Sequence, residues 1–131
     1  MAEQMADLLG KTGDARRYAD VRERLTAKVN RAEFLDRALG LYGDGDQDCQ
    51  ALALHQNVMP PELRDKVARN LLKDITETRG NRLNTGFSGT WYLLKTLIML
   101  KRPDVAVKSL TNETSPSYVS MLRHPDSPEE L

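Results

Sequence analysis

Asn81-Arg82-Leu83-Asn84-Thr85-Gly86-Phe87-Ser88-Gly89-Thr90-Trp91-Tyr92-Leu93-Leu94-Lys95-Thr96-Leu97-Ile98-Met99-Leu100 begins as a turn and ends as the most apolar run in the chain. Thr85 suits an N-cap, because its hydroxyl can accept a bond from an orphan N–H of a first helical turn. Gly86 and Gly89 remove side chains where the loop enters the helix, so a neighbouring backbone or a ligand can approach closely. Over residues 91–100 only Lys95 and Thr96 are clearly polar, with a polar tip on Tyr92. A helix apolar on nearly every side needs an interior around it. The rest of the chain must supply that interior.

Working outward, the pattern is helical throughout. Residues 2–9 read as a short helix stopped at Gly10. Asp14 offers an N-cap for a long second helix, striped by Tyr18, Val21, Leu25, Val29, Ala32, Leu35 and Leu39 and ended by Gly40 and Gly43. Its charged remainder is a solvated face. Asp46 N-caps a third helix that runs to Gln56, with Ala51-Leu52-Ala53-Leu54 apolar on adjacent faces. Asn57 and the Pro60-Pro61 pair close it, and proline opens the next element where a missing N–H is harmless. The fourth helix, residues 62–78, sets Leu63, Val67, Leu71 and Ile75 at steps of four and stops at Gly80. Pro103 starts a short sixth helix through Val105, Val107 and Leu110. Residues 112–131 carry no helical period and read as loop and tail, and no β-hairpin signal is present. The class is all-α. Helices three and five are apolar nearly all round, whereas two, four and six carry one stripe each. That alternation predicts an α/α-hairpin array of about three hairpins over residues 1–111, with inner helices walled on both sides.

Composition narrows the function. The 131 residues carry 19 basic and 19 acidic side chains, so no net field recruits nucleic acid or an anionic membrane. Aromatic residues are 5%, too few for a base-stacking surface. Residues 1–11 lack a basic region followed by an apolar core, and the run at 92–100 is too short to span a bilayer, so the expectation is a cytoplasmic chain. Cys49 is the single cysteine and reads as small core filler, although His55 lies six residues on. The loop Gly43-Asp44-Gly45-Asp46-Gln47-Asp48 invites a calcium reading. Counted from Asp44, however, the sixth and twelfth places hold Cys49 and His55 where an EF-hand needs Gly and Glu. No metal or cofactor is expected. His55 reads as a satisfied core histidine, and His124 has no visible partner. Asn112-Glu113-Thr114 fits a glycosylation acceptor only by chance. Trp91 could stack on a sugar ring, but plain core packing is the favoured reading.

Asn84-Thr85-Gly86-Phe87-Ser88-Gly89-Thr90-Trp91-Tyr92-Leu93-Leu94, followed by Pro116-Ser117-Tyr118, resembles a block of the bacterial α-L-rhamnosidases. Upstream, residues 47–54 are similar to that family's glutamine-led inner helix, and Val58-Met59-Pro60-Pro61-Glu62 is similar to the turn after it. These pieces agree in order and spacing from about Ala15 to Met121. The resemblance implies about half of an (α/α)6 toroid, the C-terminal part of the catalytic domain of an inverting glycoside hydrolase acting on terminal α-L-rhamnosides.

The departures decide the activity. The family's general base sits in a tryptophan–glutamate motif after the "PS" segment, where this chain runs Val119-Ser120-Met121-Leu122-Arg123-His124-Pro125 instead. The family's general acid lies upstream of the matching region. No catalytic residue is therefore carried over to a numbered position. Glu129 and Glu130 in the tail would not hold the required geometry. The resemblance implies a chain inactive alone, with possible carbohydrate contacts at Asn81, Thr85, Gly86, Trp91, Ser117 and Tyr118. Half a ring leaves helix flanks uncovered, so the expected partner is the rest of a glycosidase domain or another copy. The other reading is a small helical interaction module that self-associates or packs on a partner chain.

Overall fold

A computed structural model describes residues 1–123. Seven α-helices occur among them: α1 (Ala2–Leu8), α2 (Thr12–Val29), α3 (Gln47–Gln56), α4 (Arg64–Lys73), α5 (Phe87–Met99), α6 (Pro103–Thr111) and α7 (Tyr118–Leu122). Two-residue strands β1 (Leu35–Asp36) and β2 (Leu41–Tyr42) pair antiparallel between α2 and α3. The all-α hairpin reading therefore holds, as α1–α2, α3–α4 and α5–α6. No described helix is long and apolar enough to cross a membrane.

The expected stripe of the fourth helix is present in three dimensions. Val67, Leu71 and Ile75 are fully buried, and a 3₁₀ turn at Pro61–Leu63 and a π turn at Asp74–Thr78 extend α4 at its two ends. These side chains meet Ala51 and Leu54 of α3, Leu93 and Leu97 of α5, and Val105 of α6 in one core. α3 and α5 lie side by side and run in the same direction. The start of α3 meets the entry to α5, where Gln47 bonds Asn84 N and Arg82 O, and further along Thr96 Oγ1 donates to Ala51 O at 3.0 Å. Parallel neighbours are what two inner staves of a ring require. Asp46 caps α3 as expected, its carboxylate accepting from Cys49 N at 2.9 Å, and Asn57 closes the helix in the left-handed region at φ 51°.

Several expectations need correction. The second helix stops at Val29 rather than running to Leu39, and Asp14 lies inside its first turn while Lys11 holds the cap position without a side-chain bond. The reason is tertiary. Asn30 bonds back to Thr26 O of the helix at 2.9 Å, and also ties its side chain outside it, donating to Val58 O at 2.6 Å and accepting from Tyr42 Oη at 2.6 Å. The following segment then turns back as the small β pair, which sequence reading excluded. Gln50 holds it by accepting from Tyr42 N and donating to Gly40 O, and Asn70 donates to Leu39 O and Gly40 O. Thr85 is not the cap of α5. Gly86 takes that place, and the Thr85 hydroxyl instead pairs with Thr90 Oγ1 at 2.6 Å. Residues 118–122 form α7, with Ser117 and Ser120 making a reciprocal capping box that a search for apolar period overlooks. His124, Glu129 and Glu130 lie outside the described residues.

α5 is not apolar all round in its setting. It buries Thr90, Leu93, Thr96 and Leu97, while Phe87, Trp91 and Ile98 are exposed. Trp91 is therefore half outside the core at 51% exposure, against the packing reading.

Candidate functional site

The loop before α5 and the loop before α7 are stitched together by Leu83 N donating to Pro116 O at 3.1 Å. Between them opens a hollow of about 470 Å³. Its floor is Leu83, Asn84 and Thr85, and Gly86, Phe87 and Thr90 bring in the first turn of α5. Pro116, Tyr118 and Met121 close the far side. The lining is mostly apolar, with hydroxyls from Thr85, Thr90 and Tyr118 and an amide from Asn84. Such a surface can stack against a ring and bond to hydroxyls, but it offers no carboxylate to protonate a leaving group or activate water.

The wall is held from behind by Gln47. Its side chain is fully buried, with Nε2 donating to Asp74 Oδ2 and Arg82 O at 3.2 Å each and Oε1 accepting from Asn84 N at 2.9 Å. Arg79 pairs with the same Asp74 oxygen at 3.0 Å, so the carboxylate is shared by two donors. Asp48, one residue further along α3, reaches the entry of α5. Its Oδ2 accepts weakly from Gly86 N at 3.4 Å, and its Oδ1 is buried with no protein partner.

Of the six residues singled out in the sequence, Thr85, Gly86 and Tyr118 line this hollow. Ser117 sits behind it with its side chain already spent, accepting from Ser120 N and donating to Asn112 O. Asn81 lies outside the hollow. Its backbone is left-handed at φ 63°, its N–H donates to Ile75 O at 2.7 Å, and its Oδ1 is buried without a partner. Trp91 stands apart in an aromatic cluster. Its ring meets His55 edge-on at 5.8 Å and Tyr92 at 4.9 Å, and Lys95 Nζ lies 4.0 Å over its face. His55 is not the satisfied histidine expected, since its Nδ1 is buried with no hydrogen-bond partner. Leu83, Asn84, Phe87, Thr90, Pro116 and Met121 also line the hollow and were not singled out. Phe87 and Thr90 had a readable signal, being at one and four residues from Gly86 on a helix start.

Cys49 borders a separate apolar hollow of about 290 Å³ with Phe34, Leu52 and Val58. Burial, then the hydrogen bond and charge of Asp46, push its thiol up to about 11. A thiol so placed stays protonated at neutral pH and is no nucleophile. We expect alkylation by iodoacetamide about 100-fold slower at pH 7.5 than for an ordinary exposed thiol, with the rate still climbing between pH 9 and pH 11. Stopped-time mass spectrometry on the folded chain checks this, and a rate plateau near pH 8.5 contradicts it. Among the described residues no three His, Cys, Asp or Glu side chains gather as a metal site.

Residues 1–126 match the family described as bacterial alpha-L-rhamnosidase 6 hairpin glycosidase domain. An alpha-L-rhamnosidase of Alteromonas sp. (strain LOR) is 34% identical over 111 residues, and one of Streptomyces avermitilis is 35% identical over 118. These alignments take in 84% and 90% of this chain but only 12% and 11% of the two relatives. Among solved structures, the α-L-rhamnosidase of Dictyoglumus thermophilum superposes with a TM-score of 0.84 at 28% identity, covering 92% of this chain and 14% of that one. The Streptomyces avermitilis enzyme, solved in complex with L-rhamnose, gives 0.80 at 32% identity over 92% of this chain and 11% of that one. By matched length, motif order and fold together, the chain belongs to the bacterial α-L-rhamnosidase six-hairpin glycosidase domain family.

Proposed function

We propose that this chain supplies three hairpins of an α-L-rhamnosidase-type ring and does not by itself hydrolyse rhamnosides. The observation that carries this is the chemistry of the hollow at the start of α5. It has the hydroxyl, amide and aromatic groups suited to a deoxysugar, and no acid among its lining residues. An inverting hydrolysis needs a protonated and an ionised carboxyl about 6.5–9.5 Å apart across the sugar. Asp48 is the carboxylate nearest this entry in the hydrogen-bond network, and a single acid held against a helix start cannot fill both roles. Sugar contact falls to Thr85, Gly86 and Tyr118, with Asn84 beside them; Asn81, Ser117 and Trp91 act from outside the hollow.

The test is direct. The purified chain incubated with an aryl α-L-rhamnoside should release no more phenol than a preparation lacking it. Turnover that co-purifies with the chain sinks the proposal. The interaction-module reading is favoured by a different observation, the apolar side chains left exposed on α1, α2 and α5. The two readings are compatible, because a part of a ring must be covered by a partner, whether the rest of such a domain or another copy of the chain.

A further inference from the structure

The hydroxyl protons of the hollow before α5 have one consistent direction. Thr90 Oγ1 lies 3.0 Å from Gly86 O, one helical turn back, and a carbonyl only accepts. The single hydroxyl proton of Thr90 is therefore committed there. Thr85 Oγ1 lies 2.6 Å from Thr90 Oγ1, and an oxygen–oxygen contact that short needs a proton between the two. Thr90 has none left to give, so Thr85 supplies it. The relay runs from Thr85 to Thr90 to Gly86 O.

Thr90 is 5% exposed, so neither solvent nor a ligand competes for its proton. All three groups belong to residues 85–90, and further chain packed around the hollow would leave the direction unchanged. Thr85 is half-buried and lines the hollow. With its proton turned inward, its oxygen shows the hollow lone pairs alone. An oxygen that donates also becomes a better acceptor, because successive bonds in such a relay polarise one another. The side chains of Leu83, Pro116 and Met121 offer the same space only apolar surface.

We propose that Thr85 is a specificity-determining residue of this hollow, accepting a hydrogen bond from one free hydroxyl of a bound deoxysugar and refusing an ether oxygen in its place. This rests on the sugar reading above. An ether oxygen at that position sets lone pairs against lone pairs and leaves its own water behind with no bond in exchange. Losing one such bond weakens binding about 10-fold or more. The apolar side chains across the hollow meet the methyl group and C–H faces of the ring, so they do not distinguish the alcohol from the ether. The choice between them falls to Thr85.

Chemical-shift titrations of the folded chain with methyl α-L-rhamnoside and its mono-O-methyl ethers test the assignment, read at the amides of Thr85, Gly86 and Tyr118. Wild type should bind at least one ether about 10-fold more weakly than the parent glycoside. Thr85→Ser should keep that preference, and Thr85→Val should lose it by weakening the parent to the level of the ether. Thr90→Val is the deciding variant. It keeps the shape of the wall and frees the Thr85 proton, so that hydroxyl can donate to an ether oxygen. The refused ether should then recover to within about 2-fold of the parent. Thr90→Ala frees the same proton and gives the second measurement where valine disturbs the helix. An ether still refused by both Thr90 variants is excluded by bulk, which overturns the proposal. Equal binding of the parent and every ether by wild type overturns it while leaving the sugar reading intact. No shift with any of these glycosides overturns both.

Discussion

Replacing Gln47 by Glu should cost about 3–5 kcal/mol of stability, read as a lower urea midpoint with an unchanged slope. Gln47 is buried completely, and its amide is used at both ends. The Nε2 group donates to Asp74 Oδ2 and to Arg82 O, and Oε1 accepts from Asn84 N. Glutamate keeps the acceptor and removes the donor. A second carboxylate oxygen then faces the Asp74 carboxylate and a carbonyl at 3.2 Å, in a site closed to water. Arg79 already serves Asp74 and cannot neutralise two acids well. Gln47→Met separates the contributions. It keeps the volume, strands Arg82 O and Asn84 N without adding charge while Asp74 keeps Arg79, and should cost less, about 2–3 kcal/mol. The pH dependence fixes the cause. Burial and Asp74 raise the new carboxyl's pKa above its unfolded value, so the protonated form restores a donor and the penalty shrinks as pH falls. A Glu variant equally destabilised at pH 5 and pH 8 would assign the loss to shape alone. The loop at 82–84 is the floor of the hollow, so this buried amide links the packing of α3 to the geometry of the candidate site.

Gln47 also shows which parts of the molecule were readable in advance. The helices with strong apolar period, α4 above all, were legible because Val67, Leu71 and Ile75 need only one face of one cylinder. The resemblance carried the order of the pieces, and the matched family bears it out. What could not be read was decided by distant polar groups. Asn30 ends α2 early because Val58 O and Tyr42 Oη, 28 and 12 residues away in sequence, share its amide with the local Thr26 O. Thr85 loses its cap role to Gly86 because Thr90 takes its hydroxyl. In each case local propensity offered one partner and tertiary structure offered a better one. Trp91 failed differently. Its position two residues after a glycine looks internal, but helical geometry puts it about a half-turn from Leu93, on the uncovered side. The hollow was half visible, through Thr85, Gly86 and Tyr118, because loop residues next to a glycine-bearing helix start are natural lining. Its remaining members follow only once the loops at 83 and 116 are known to be joined.

The close approach at the entry of α5 makes the last strong prediction, and it runs against helix propensity. Alanine in place of glycine inside a helix normally gains about 1 kcal/mol. At Gly89 the added Cβ would sit 1.5 Å from Asp48 Oδ1 and 2.3 Å from its Cγ, so the whole carboxylate must leave. The displaced group loses its contact with Gly86 N, and the favourable field of the helix start with it. Crowding of this kind costs about 1–3 kcal/mol, enough to reverse the propensity gain. Gly89→Ala should therefore lower stability, and Asp48→Ala alone should lower it modestly by removing the charge from the helix start. The double variant has no clash and keeps the better helix former. It should be more stable than Gly89→Ala alone, with a coupling of about 1–2 kcal/mol between the two sites. Additive effects in thermal or urea unfolding would mean that Asp48 swings aside freely and that Gly89 serves some other need. Coupling of the expected sign would place the contact between α3 and α5, the two parallel staves, as the reason a glycine stands one turn inside the chain's most apolar helix.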